Sequence, residues 1–277
     1  MIDRRQFTGG LLLAGGLGAF AGKGFAATTD TSPVVCTHVR DLATGRALFR
    51  DGPCDRRFSP MSTFKFPLAL MGFDSGILKD THDPRWDYRP EYASRMEQQK
   101  IATDPTIWLR ESIVWYSQEL TRRMGMERFK AYVDALDYGN RDVRGNLGRN
   151  DGLTESWLMS SLTISTDEQV QLLSRVFART LPVSGHACDM TLANMPSFPA
   201  DGGWTVWGKT GSGWLRDAKG AVDRTRPLGW FIGWAEKDGR RVVFARLEAG
   251  DPQTKGFGGP AARAAVLAKL SSMIGKA

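Results

Sequence analysis

The stretches of this chain that read as β-strand lie at its two ends, and the long middle between them reads as helix. Early on, Val34-Val35-Cys36-Thr37-His38-Val39 forms an apolar run, Asp41-Leu42-Ala43-Thr44-Gly45 turns the chain, and residues 46–50 return. Late in the chain, residues 203–209, 229–235 and 241–247 read as strands. The last two are joined across Lys237-Asp238-Gly239, a strong hairpin signal. Helical patterns run from Ser62 to about residue 180, broken by turn signals at Asp83-Pro84, Gly139-Asn140 and Asn150-Asp151-Gly152. An alanine-rich helix closes the chain from residue 260 to residue 274. Strands from both ends flanking one helical region predict an antiparallel sheet completed by the two termini. The expected fold is α/β of the α+β type, a central antiparallel sheet flanked by helices with a mostly helical insertion. With 42% hydrophobic and 24% charged residues, the chain has ample core for one large domain, taken here as residues 27–277.

Three short motifs recur along this frame. Ser62-Thr63-Phe64-Lys65 spells S-x-x-K, Ser112-Ile113-Val114 follows fifty residues later, and Lys209-Thr210-Gly211 comes near the end. Residues three apart share a helix face, so the Lys65 amine can reach the Ser62 hydroxyl. A serine hydroxyl is a weak nucleophile until a neighbouring base takes its proton. Lys209 and Thr210 supply a cation and a hydroxyl for an anionic substrate. Together these residues describe a serine acyl-transfer site in which lysine does the work usually given to histidine. His38, His82 and His186 sit in no motif, and the chain has no G-x-S-x-G elbow, which also favours lysine as the base.

S-x-x-K and K-T-G are shared by serine β-lactamases and penicillin-binding proteins. The apolar Val114, where others carry a polar amide, resembles the class D, oxacillin-hydrolysing serine β-lactamases. Tyr138-Gly139-Asn140 and Trp157-Leu158 resemble that family's Y-G-N and W-L elements, and the flanks Ser59-Pro60-Met61 and Phe66-Pro67 agree. The resemblance spans Cys36 to the C-terminus and implies the serine β-lactamase/transpeptidase-like fold. It implies hydrolysis of penicillin-type β-lactams through a Ser62 acyl-enzyme, giving antibiotic resistance. It further implies that Lys65 is carboxylated on its amine by carbon dioxide to N6-carboxylysine and serves as general base. Only a neutral amine reacts with carbon dioxide, and burial lowers a lysine pKa. Val114, Trp157 and Leu158 would line the carbamate pocket, with the Trp157 indole N–H as donor. Ser112 would pass a proton to the leaving nitrogen, with Lys209 beside it. Ser212 and Ser62 would give the backbone N–H groups of an oxyanion hole. Thr210, Gly211 and Arg263 complete the substrate-binding set, Thr210 and Arg263 holding the substrate carboxylate. Tyr138-Gly139-Asn140 reads as mainly structural. Loops around residues 86–115 and 214–226 would set the drug spectrum. Two alternatives share the motifs: a penicillin-binding D,D-peptidase and a β-lactam sensor domain, both acylated and both slow to deacylate.

Several other readings are excluded or weak. Gly203-Trp204-Thr205-Val206-Trp207-Gly208-Lys209-Thr210 fits the P-loop pattern, but its tryptophans and valine alternate like a strand and Gly211-Ser212-Gly213 is a poor helix start. The formal charge is +7, of which the first 26 residues carry +2 (Arg4, Arg5 and Lys23 against Asp3), leaving +5. No Lys/Arg-rich block accompanies it, so nucleic acid is not an expected partner. No residues show metal-ligand spacing, and no cofactor beyond carbon dioxide or bicarbonate is expected.

Residues 1–26 read as a cleaved signal peptide. Arg4-Arg5-Gln6-Phe7 resembles a twin-arginine signal, an apolar run of about eleven residues follows from Leu11 to Ala21, and small residues suit cleavage after Ala26. That run is too short to span a bilayer, so no stable membrane anchor is expected and the destination is the periplasm. In that oxidising compartment Cys36 and Cys54 are candidates for a disulfide, because a hairpin centred near residues 43–44 brings residue 36 opposite residue 51. Cys188 is then left over, buried and free.

Overall fold

The computed structural model describes residues 32–275 except 93, 95 and 255, so the signal segment and its cleavage site lie outside the described residues. The opening hairpin pairs β1 (Val34–Asp41) with β2 (Ala47–Asp51), Thr37 standing opposite Asp51. The Asp41 carboxylate closes the turn by accepting the Ala43 and Thr44 N–H groups at 3.0 and 2.9 Å. That register leaves Cys36 and Cys54 in a disulfide, and Cys188 is buried and free.

A short strand β3 (Arg57–Phe58) leads into a 3-10 turn, Met61–Phe64, which runs straight into helix α1 (Lys65–Asp74). Helices α2 (Pro105–Arg110), α3 (Val114–Met124), α4 (Met126–Ala135) and α5 (Gly152–Glu155) make up the middle. The middle is less helical than its sequence suggests. Between α1 and α2 the described residues form two 3-10 turns, Pro90–Tyr92 and Glu97–Gln99, and a bridge between Trp86 and Thr103. Strand β4 (Ile164–Ser165) pairs with β3 and gives way to α6 (Thr166–Phe177). Ser165 and Glu168 cap α6 reciprocally, the S-x-x-E pattern that satisfies two orphan N–H groups at a helix start. Helix α7 (Gly185–Ala193) precedes strands β5 (Ser197–Pro199), β6 (Thr205–Arg216), β7 (Val222–Lys237) and β8 (Arg240–Ala249), and α8 (Gly258–Ile274) ends the fold.

The main sheet has the order β2-β1-β8-β7-β6-β5, antiparallel throughout, so a strand from the start of the chain does pair with one from its end. Side chains alternate across β7. Trp230, Ile232 and Trp234 face the helical core, whereas Phe231 and Ala235 join Ala262, Val266 and Leu270 of α8 on the other side. Asp238 and Gly239 both take positive φ, 50° and 78°, as a two-residue type I′ hairpin turn requires. The glycine-rich segment that mimics a P-loop is strand β6, with no helix behind it. Residues 214–226, which read as a loop, are instead the outer end of the β6–β7 hairpin. Leu215 pairs with Asp223 and Arg216 with Val222 beyond a bulge, and the Asp217 carboxylate closes the turn onto Lys219 and Ala221. No helix among the described residues is long and apolar enough to cross a membrane.

The disulfide spans a sequence separation of 18 residues. Constraining such a loop in the unfolded chain is worth about 3 kcal/mol, which for a domain of this size converts to roughly 6–12 °C. A Cys36→Ser/Cys54→Ser double variant should lose that much in Tm, and wild type should fall to the same Tm under strong reductant. Equal Tm values for oxidised wild type and the variant would show that the bridge adds no stability.

Candidate active site

Ser62 sits in the first turn of the helical segment that becomes α1, and Lys65 follows one turn later. Lys65 Nζ lies 3.1 Å from Ser62 Oγ. Burial pushes the Lys65 amine well below the ordinary lysine range, and the nearby Lys209 charge pushes the same way. The adjoining Phe64 lies in an aromatic cluster. Phe64 stacks on Trp157 with ring centres 5.2 Å apart and meets Tyr138 and Phe129 edge-on. Trp157 is completely buried, and its indole Nε1 finds no hydrogen-bond partner among the described residues. An unsatisfied buried donor costs about 1–3 kcal/mol, so such a group marks a place where another acceptor belongs. A buried lysine whose pKa is pushed down, together with a buried indole N–H that lacks a partner, is a donor set that fits a lysine carbamate.

The segment that presents Ser62 is tied down from two sides. The Trp157 carbonyl accepts the Ser59 hydroxyl at 2.8 Å and the Met61 N–H at 3.1 Å, and Ser59 Oγ in turn accepts the Met159 N–H at 2.9 Å. The Trp230 indole N–H donates to the Ser59 carbonyl at 2.9 Å, fixing the segment to β7. These bonds hold Met61 in a left-handed conformation with φ of 53°. Gln169 of α6 donates to Thr63 Oγ1 at 3.1 Å, coupling the capped start of α6 to the residue beside the serine. Gln169 carries no motif signal in the sequence, and Ser59 only that of a motif flank. Their roles rest on contacts between segments 106 residues apart for Gln169 and 98 to 171 apart for Ser59.

Lys209 of β6 reaches Ser112 Oγ at 3.0 Å and its neighbour's carbonyl, Thr210, at 3.2 Å. Burial, and then the charge of Arg263, pull its pKa down to about 7. Ser112 takes a left-handed φ of 58° just before α3. The fully buried apolar residue of this motif is Ile113, while Val114 opens α3 half-buried and Leu158 is likewise half-buried beside Trp157.

Gly211 has a steric reason to be glycine. A Cβ there would lie 2.8 Å from the Pro60 carbonyl oxygen and 3.1 Å from the Thr63 nitrogen. Only a bare backbone lets β6 lie against the Ser62 turn. Thr210 and Ser212 point to the opposite face, toward α8, where Ser212 Oγ accepts the Gly259 N–H at 3.0 Å. Arg263 of α8 is on that same face, its guanidinium 4.7 Å from the Phe198 ring centre. The structure therefore brings Lys65 to Ser62, Lys209 to Ser112 and Gly211 against the Ser62 turn, with the Lys209 charge acting on Lys65. Tyr138-Gly139-Asn140 is packing. Tyr138 is buried against Phe64, and Asn140 binds the Ser161 carbonyl and the Thr163 backbone. Among the described residues no group of side chains could hold a metal ion.

Residues 25–272 match the family of penicillin-binding protein transpeptidase domains. The chain is 50% identical over 250 residues to the β-lactamase OXA-9 of Klebsiella pneumoniae, covering 90% of this chain and 91% of the relative. It is 36% identical over 238 residues to the β-lactamase OXA-1 of Escherichia coli, covering 82% and 83%. Its fold matches the crystal structure of the class D β-lactamase OXA-427 with a TM-score of 0.79 at 39% identity, covering 85% of this chain and 96% of that one.

A lysine buried with a depressed pKa costs stability. Between its folded pKa and the free-lysine value of 10.5 the unfolded chain binds the extra proton, so stability rises with pH across that window. Lys65→Met keeps the side-chain length and removes the amine. In carbon-dioxide-free buffer it should raise Tm by roughly 2–6 °C near pH 7, with the gain shrinking as pH approaches 10. A Tm unchanged or lowered at every pH would refute the desolvation argument.

Proposed function

The chain belongs to the class D serine β-lactamases within the penicillin-binding transpeptidase family, and on that footing we propose that it hydrolyses penicillin-type β-lactams through a Ser62 ester and so confers resistance. The observation that supports the mechanism most directly is a fully buried Lys65 amine 3.1 Å from the Ser62 hydroxyl.

In this reading Ser62 Oγ attacks the lactam carbonyl while its proton leaves toward position 65. The Ser62 and Ser212 N–H groups receive the developing oxyanion. As the carbon–nitrogen bond breaks, Ser112 gives its proton to the lactam nitrogen, and Lys209, 3.0 Å away, replaces it. Thr210 and Arg263 hold the substrate carboxylate on the α8 side of β6. The proton taken up at position 65 then restores Lys209, and a water attacks the ester while its own proton passes by way of position 65 to the departing Ser62 oxygen. Bound carbon dioxide would supply a carbamate on Lys65, an anionic oxygen base within reach of Ser62. The Trp157 N–H would hold it, and the surrounding aromatic side chains would exclude water. Export to the periplasm, by the twin-arginine route, belongs to the same proposal, and the Cys36–Cys54 disulfide supports an oxidising destination.

Nitrocefin turnover by the purified protein tests the activity. Many turnovers per molecule are expected. One acylation event followed by arrest would make the chain a slow-deacylating penicillin-binding peptidase or sensor instead. Activity should fall in degassed, mildly acidic buffer and return with added bicarbonate, and labelled bicarbonate should give a carbamate carbon signal by NMR that Lys65→Ala lacks. Equal rates with and without bicarbonate would remove the carbamate. A hydrogen bond to a charged group is worth about 1.5–3 kcal/mol, so Trp157→Ala should weaken carboxylation by about one to two powers of ten. Its bicarbonate titration should shift accordingly, with deacylation suffering more than acylation. An unshifted titration would reduce Trp157 to a core tryptophan.

A further inference from the structure

Helix α3 starts without a cap of its own. Its N-cap residue is Ile113, whose side chain can accept nothing from the first-turn N–H groups. The missing acceptor comes from elsewhere in the chain. Gln99 closes the 3-10 turn Glu97–Gln99 and is buried at 7% exposure. Its Oε1 accepts the Val114 N–H at 3.2 Å, and its Nε2 donates to the Ser112 carbonyl at 3.3 Å. Its backbone carbonyl accepts the Trp115 indole N–H at 2.7 Å. Trp115 is itself wedged flat against Tyr92, ring centres 5.0 Å apart. One amide thus grips the peptide groups on both sides of Ile113.

That grip falls on strained backbone. Ser112 is a non-glycine residue with φ of 58°, a conformation that persists only where its surroundings over-determine it. The left-handed turn aims Ser112 Oγ at Lys209 Nζ, 3.0 Å away. A relaxed, right-handed Ser112 would swing the hydroxyl off that line.

We propose that Gln99 is a positioning residue for proton delivery: its side-chain amide caps α3 from outside and locks Ser112 in the left-handed geometry that points its hydroxyl at Lys209. The inference rests on the proposed acyl-enzyme chemistry and deepens it. It also assigns Gln99 to one half-reaction. Only acylation expels a nitrogen that needs Ser112's proton, so a fault in Ser112 placement slows ester formation and spares ester hydrolysis.

The experiment is pre-steady-state kinetics of benzylpenicillin on the full chain, with acylation and deacylation rates separated. Gln99→Met keeps the side-chain length and removes both hydrogen bonds. It should slow acylation roughly 10–100-fold, the scale of a small misplacement of a reacting group, while deacylation changes by less than about threefold. In a Ser112→Ala background the same substitution should add less than about threefold, because residues acting through one another are not additive. Equal slowing of both steps, or an undiminished effect in the Ser112→Ala background, would show a merely structural role and overturn the inference. Gln99→Glu keeps the acceptor for Val114 and loses the donor to the Ser112 carbonyl, so it preserves the cap should Gln99→Met fail to fold. Selective loss of acylation in Gln99→Glu supports the inference and an unchanged acylation rate overturns it. No acyl-enzyme in wild type would overturn the Ser62 reading and this inference with it. Normal wild-type acylation with an unaffected Gln99→Met overturns this inference alone.

Discussion

The site depends on keeping one amine out of water. Lys65 is fully buried, and burial is the largest force on its pKa. A wetter pocket would leave an ammonium, which can neither take a proton from Ser62 nor react with carbon dioxide. Phe64, the chain neighbour of Lys65, packs on Trp157, Tyr138 and Phe129 and so fixes the helical turn on which Ser62 sits.

The second requirement is close approach of three segments that are remote in sequence. Strand β6 brings Lys209 to Ser112, and its bare Gly211 lies against Pro60 and Thr63. The segment Ser59–Met61 is stitched to Trp157 on one side and to Trp230 on the other. Behind it, Gln169 of α6 holds Thr63, and the adjoining Glu168 both caps α6 and pairs with Arg57 of β3. The serine turn is thus held from the sheet, from the helical insertion and from the W-L segment together.

Strain collects where these segments meet. Met61, Ser112 and Met159 all take left-handed conformations without being glycine, and all three border the cleft. Each is flanked by hydrogen bonds that over-determine it: Trp157 to Met61, Gln99 around Ser112, and Ser59 to Met159. Such backbone is tolerated because the reacting groups need directions that relaxed helix or strand cannot give them. The buried lysines and the strained turns place the least comfortable parts of the fold around the catalytic cleft.

The sequence by itself determined which chemical groups are present and in what order. The i, i+3 spacing of Ser62 and Lys65 encodes their contact locally, because one helical turn suffices. The sheet built from both ends was legible from strand periodicity, and the Cys36–Cys54 bridge from hairpin register. The outer end of the β6–β7 hairpin was not, since residues 214–226 look like a loop until Leu215 and Arg216 pair with Asp223 and Val222. The tertiary structure alone decided the ionisation of Lys65 and Lys209, the unpaired Trp157 indole and the grip of Gln99 on Ser112. Desolvation depends on which side chains pack around a group, and Ser112 meets Lys209 across 97 residues. No local pattern records a contact of that span. It exists only once the two ends of the chain have closed the sheet over the helical insertion.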